Sequence, residues 1–168
     1  MTTGTGRARL WHEDPQVWRF LFARYLVLFT PLSLLWEIAH LPLYTLWSQA
    51  PPATIVYALI HCTLGDMLIG ALALLAALVA TRAGPLERWR WRRVGAVAVG
   101  FGLAYTAFSE WFNTVVRMSW AYSEWMPLTP FLPLGASPLL QWLLVPAVAL
   151  AWARHLGARE LARRANGA

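Results

Sequence analysis

Five ionisable side chains interrupt long apolar stretches of this sequence: Glu37, His40, His61, Asp66 and Glu110. Asn113 and Arg117 follow Glu110 at helical spacing. An ionisable group in hydrocarbon costs at least about 2.5 kcal/mol on insertion scales. Two kinds of chemistry suit such a set. The first is metal binding. Glu37-Ile-Ala-His40 has the Glu-x-x-His spacing with which bundle helices present ligands inward. Glu110-Trp-Phe-Asn113 carries Asn where a second His would complete that pattern. A single divalent ion would take Glu37, His40, His61 and either Glu110 or Asp66, and a haem would lie between His40 and His61. The second is acid/base chemistry without metal, since carboxyls and imidazoles exchange protons near neutral pH. Its catalytic set is Glu37, Asp66, Glu110 and His61. A third reading has no chemistry: the polar groups only specify helix packing, at about 0.6 kcal/mol per interhelical hydrogen bond, in a non-catalytic subunit or a proton or ion relay.

These residues need helices to hold them. Of 168 residues, 58% are hydrophobic and 13% charged, too few polar groups to cover a soluble domain of this size. Four stretches are long and apolar enough for membrane spans, at about 20–47, 55–80, 94–116 and 139–156. Residues 1–19 and 157–168 are then tails, and the whole of 1–168 is a single domain. The expected fold is an all-α, four-helix transmembrane bundle with a long external loop between helices three and four. Residues 1–19 lack the short apolar core of a cleaved signal peptide.

All 14 basic residues are Arg, and all but Arg117 fall on one side of a four-span chain. By the positive-inside rule both termini are cytoplasmic and the near-neutral loops external. The location this implies is a plasma membrane, with lipids as partners. The net charge of +6 then marks a membrane face, and no nucleic-acid motif accompanies it. The absence of Lys excludes Schiff-base enzymes and Walker A loops. The single cysteine, Cys62, excludes an internal disulfide and reads as a packed small residue. Most of the 11 Trp fit an aromatic belt, with Trp47, Trp111, Trp120 and Trp125 external and Trp18, Trp89, Trp91 and Trp152 cytoplasmic.

On this topology the ionisable residues share a depth. Glu37 lies roughly 15 Å inside the external boundary at 1.5 Å per residue, and the others lie in the external half or at the midplane. His61 and Asp66 are five apart, about 140° around a helix, so facing one site together requires a broad site or a distorted helix. The loop from Arg117 to Pro138 is aromatic and Pro-rich and should fold over the mouth of the bundle. Asn113, Arg117, Trp120, Tyr122 and Glu124 are its rim candidates. A substrate entering at this depth would be lipid-like, an isoprenoid or a quinone.

Several runs carry a resemblance. They are Trp36-Glu37-Ile-Ala-His40-Leu-Pro42-Leu-Tyr44, His61-Cys62-Thr63-Leu-Gly65-Asp66, Phe108-Ser109-Glu110-Trp111-Phe-Asn113-Thr114, Ser119-Trp120-Ala-Tyr122-Ser123 and Met126-Pro127. Together they resemble a family of small bacterial four-span membrane proteins. The resemblance implies the four-span fold and no particular activity. Asn113 ahead of Trp120-Ala-Tyr122 is also faintly similar to the small membrane lycopene cyclases. The paired acidic residues those enzymes carry after a later proline are absent here, where Leu134-Gly135 follows Pro133.

Overall fold

The computed structural model describes residues 9–166, with side chains described for residues 9–159. Arg7 and the side chains of Arg163 and Arg164 lie outside it. Four long helices pack together, and no strand is present among the described residues. Helix α1 spans Pro15–Leu43, α2 Pro52–Ala80 and α4 Ala136–Asn166. Helix α3 spans Trp91–Trp111 and continues through a π-helical turn, Phe112–Val116.

The helix ends follow local chemistry. Asp14 caps α1 by accepting from the Gln16 amide at 2.9 Å, and Pro15 fills the first helical position. The start therefore falls at Pro15 instead of near Phe20. The end falls at Leu43, before Tyr44 turns extended, and Leu46–Gln49 forms a separate short turn of helix. Pro52 starts α2 for the same reason as Pro15. Helix α4 runs on to Asn166, so most of the expected C-terminal tail is helical.

Three helices are long and apolar enough to cross a membrane: α1, α2, and α4 over Ala136–Arg159, with mean hydropathies of 1.5, 2.1 and 1.5. This supports a multi-pass membrane protein. Helix α3 falls short of the expected fourth span on composition, because Arg92, Arg93, Ser109 and Glu110 dilute it. It is nonetheless packed between α2 and α4, while α1 packs against the same two helices from the opposite corner. Its outward side chains, Phe101, Phe108 and Trp111, are apolar like those of its neighbours.

Within lipid, close packing and hydrogen bonds hold helices together, since a lipid-facing Leu is as well solvated as a buried one. Two glycines provide that closeness. A Cβ at Gly102 would collide with the Trp142 ring, and one at Gly70 would lie 2.9 Å from the Phe29 ring. The core runs through Phe20, Tyr25, Phe29, Leu74, Ala98 and Trp142. Trp89 belongs to it at 5% exposure, so it is a core residue and not part of the belt. Its ring packs edge-on against Phe20, and its indole donates to the Gly84 carbonyl.

One end of the bundle gathers the arginines. Asp14 also accepts from the Leu86 amide at 3.0 Å, tying the start of α1 to the α2–α3 connector. The Arg154 guanidinium of α4 lies 5.5 Å from the Trp91 ring centroid. The polar residues collect toward the opposite end. Among the described residues, every buried polar or charged side chain except Asp14 lies in that half: Ser33, His40, Thr63, Asp66, Thr106, Glu110 and Gln141.

Candidate functional site

Each long helix sends at least one polar side chain to the same place. Helix α1 contributes Glu37 and His40, α2 Asp66, α3 Glu110, and α4 Ser137 and Gln141. Asp66 is at the middle of α2, about 21 Å from either end at 1.5 Å per residue. It shares the inner face of that helix with Thr63, Gly70, Ala73 and Ala77. Glu110 shares the inner face of α3 with Thr106, Gly102 and Ala98.

The donors and acceptors form two connected groups. In the first, the Gln141 amide nitrogen donates to Asp66 Oδ2 at 2.6 Å and to Glu37 Oε1 at 3.2 Å. Glu37 Oε2 lies 3.2 Å from His40 Nε2, and His40 Nδ1 lies 3.1 Å from the Ser137 hydroxyl. That hydroxyl also accepts from the Trp36 indole at 3.3 Å. Trp36 can only donate, so the Ser137 hydroxyl is free to donate to His40 Nδ1. With Ser137 donating to Nδ1, the tautomer of His40 that matches is the one whose Nε2–H donates to Glu37. In the second group the Tyr122 hydroxyl donates to Glu110 at 2.5 Å, and Tyr44 approaches the same carboxylate at 3.4 Å. The Tyr44 ring packs against both His40 and Tyr122, which joins the groups. Burial raises both phenols above their ordinary range, and donation to Glu110 raises Tyr122 further. Both therefore stay proton donors.

The loop after α3 makes the second group possible. Met118 takes a left-handed conformation (φ 51°) that ends the helix and reverses the chain. The π turn before it leaves the Ser109 and Glu110 carbonyls to the side chains of Asn113 and Thr114, at 2.9 and 2.7 Å. Backbone pairing then fixes the loop on the end of α1. The Thr45 amide donates to Ala121 at 3.0 Å, and the Ser123 amide to Leu43 at 2.9 Å. This places Tyr122 over Glu110 and Trp120 on the cavity wall.

A cavity of about 340 Å³ lies against the two groups. Glu37, His40, Asp66, Glu110 and Gln141 line its inner wall, and Asn113, Arg117 and Trp120 its outer end. Cys62 is half-buried on the α2 side of the cavity. His61 borders the cavity, but it is exposed and stacked on Tyr57, with ring centroids 5.6 Å apart. The 140° between His61 and Asp66 accounts for this: the helix buries Asp66 and turns His61 outward. Glu124 is exposed on the loop and does not reach the cavity wall.

The metal set expected from sequence does not converge. Among the described residues, no three His, Cys, Asp or Glu side chains come together closely enough to hold a metal ion. His61 faces outward, and Glu110 is engaged by two tyrosines. Both ring nitrogens of His40 are already in hydrogen bonds, which leaves none to face a haem iron. Gln141, Ser137 and Tyr44 were missing from the expected site. Gln141 and Ser137 are one turn apart on α4, and that spacing of polar residues at the start of an apolar stretch was the available signal. Compared with family models, curated proteins and solved structures, the chain matches none.

Proposed function

We propose that the protein is a four-span protein of the bacterial plasma membrane, with both termini cytoplasmic, and that its outer-half cavity performs acid/base chemistry on a lipid-like molecule of the isoprenoid or quinone class. One observation carries this reading: the carboxylates of three different helices, Glu37, Asp66 and Glu110, line a single cavity with room for part of a ligand. None of the three is paired with an Arg in the described structure, so no fixed positive charge neutralises them. Glu110, with the Tyr122 donor beside it, and Glu37, with His40, are the proton-transfer pairs. Helix α3 is the fourth span in this reading, its polar residues turned inward.

The test is a comparison of membrane lipids. Cells carrying the wild type, Glu110→Gln or Glu37→Gln are extracted, and their isoprenoids and quinones are quantified by mass spectrometry. An enzyme leaves an accumulated precursor in the variants. Identical profiles from well-expressed, folded variants remove the catalytic reading.

A non-catalytic role also has an observation in its favour. The hydrogen bonds of the site join α1, α2 and α4, and tie Glu110 of α3 to the loop residues Tyr44 and Tyr122, as a packing device would. In that case the same variants lower stability and leave every lipid unchanged.

A further inference from the structure

The wall between the cavity and the surrounding lipid is thin on one side. Helix α3 presents Tyr105, Ser109, Asn113 and Arg117 to the cavity, one below the other, and α2 faces them with Cys62 and Gly65. Tyr105 lines the cavity and is also 49% exposed. His61 is likewise both a cavity neighbour and exposed. A Cβ built on Gly65 would meet nothing within 4 Å. Beside the cavity the seam between α2 and α3 is therefore lined by exposed residues and by a glycine with space around it.

The outer end of the same cavity has donors without acceptors. Arg117 lines it and makes no ion pair or side-chain hydrogen bond in the described structure. The indole nitrogen of Trp120, on the same wall, is buried without a partner. The carboxylates deeper in the cavity are already served: Glu37 by His40 and Gln141, Asp66 by Gln141, and Glu110 by Tyr122 and Tyr44. A cation and an N–H with nothing to accept their bonds match a group that only accepts, and an anionic headgroup is such a group.

We propose that the cavity takes a single-chain amphiphile with a phosphate or carboxylate head, entering sideways between α2 and α3, its head at Arg117 and Trp120 and its chain against Gly65 and Tyr105. This rests on the cavity being a ligand site, as in the proposed function, and names the class and route of the ligand. The deep carboxylates then stand beside the first carbons of the chain and not at the head.

The test uses the full chain in phosphatidylcholine nanodiscs with three photoactivatable probes of equal length. These are a diazirine-tailed lysophosphatidic acid, the matching fatty acid and the matching fatty alcohol. After photolysis, cross-linked peptides are mapped by mass spectrometry. The acidic probes should label the Cys62–Asp66 and Tyr105–Ser109 segments at least five-fold more than the alcohol, and excess unlabelled acidic amphiphile should compete. Arg117→Gln should bring acidic labelling down to the alcohol's level, with labelling of the lipid-facing residue Val79 unchanged as the internal control. Gly65→Phe should abolish cleft labelling by all three probes. If it does not fold, the exposed Arg117→Gln variant still decides the matter. Equal cleft labelling by acid and alcohol, unaltered by Arg117→Gln, would mean ordinary surrounding lipid and would overturn the proposal. Specific cleft labelling without any change in cellular lipids keeps this inference and removes the catalytic reading. The reverse pattern keeps the catalytic reading and removes this inference.

Discussion

The Tyr122 hydroxyl lies 2.5 Å from the Glu110 carboxylate, so a loop residue caps the deepest acidic group of α3. This bond couples the order of the loop to the state of the site. Tyr122→Phe leaves Glu110 with only the longer contact to Tyr44. Loss of a hydrogen bond to a charged group costs about 1.5–3 kcal/mol. The expected result is lower thermal stability in detergent and faster proteolysis within residues 118–135, with α1–α4 resistant as before.

Gln141 bridges Glu37 and Asp66. Gln141→Leu keeps the volume and removes both donors, at a cost of about 1–3 kcal/mol. Gln141→Glu does more, because it inserts a third carboxyl between two others. Burial and repulsion from both neighbouring carboxyls oppose its charge, and the two donated hydrogen bonds are lost as well. Unfolding by denaturing detergent should rank the proteins wild type, Gln141→Leu, Gln141→Glu, in falling order of stability. Equal stability of the two variants would contradict the bridge.

Gly102 and Gly65 make opposite predictions from the same substitution. A methyl group at Gly102 has the Trp142 ring in its place, whereas a methyl group at Gly65 has empty space. Gly102→Ala should destabilise the bundle by about 1–3 kcal/mol through overpacking. Gly65→Ala should be neutral or slightly stabilising, since alanine favours helix. Thermal unfolding of the two variants side by side checks both.

The chain has no lysine, so the side chains that titrate between neutrality and about pH 11 are its tyrosines and the single thiol, Cys62. Burial raises the Tyr44 and Tyr122 phenols in the folded state, while an unfolded tyrosine ionises near about pH 10. The stability they contribute is complete below about pH 10 and is lost as the pH rises above it, because the unfolded chain releases its protons first. The slope reaches about 1.4 kcal/mol per pH unit for each phenol. Unfolding measured between about pH 8 and about pH 11 should show this decline, and Tyr122→Phe should make it shallower.

Much of this arrangement can be read from sequence, and the rest is hidden for specific physical reasons. Hydropathy and arginine placement locate the four helices, because lipid constrains length and charge strongly, but they miss the run of α4 on to Asn166. Proline and Asp14 account for the shifts at the ends. The polar half of the bundle follows from the depth of Glu37, Asp66 and Glu110. Helical phase is harder to read: His61 sits at the right depth and on the wrong face. Gln141 is harder still, since one amide in an apolar run gives no sign of which helices it will bridge. Tyr122 reaches its place by a reversal at Met118 that no periodicity announces.

The arginine-side half of the bundle is filled by Leu74, Ala77, Val94, Ala98, Val145 and Ala149, with no buried carboxyl, imidazole or amide among its described residues apart from Asp14 at the end. The polar chain from the loop therefore stops at Asp66, like a well with a floor. A proton that reaches Asp66 has no further buried carboxyl, imidazole or amide to pass to among the described residues of that half, short of Asp14 at its end. Vesicles containing the protein should hold an imposed pH gradient as long as empty vesicles do.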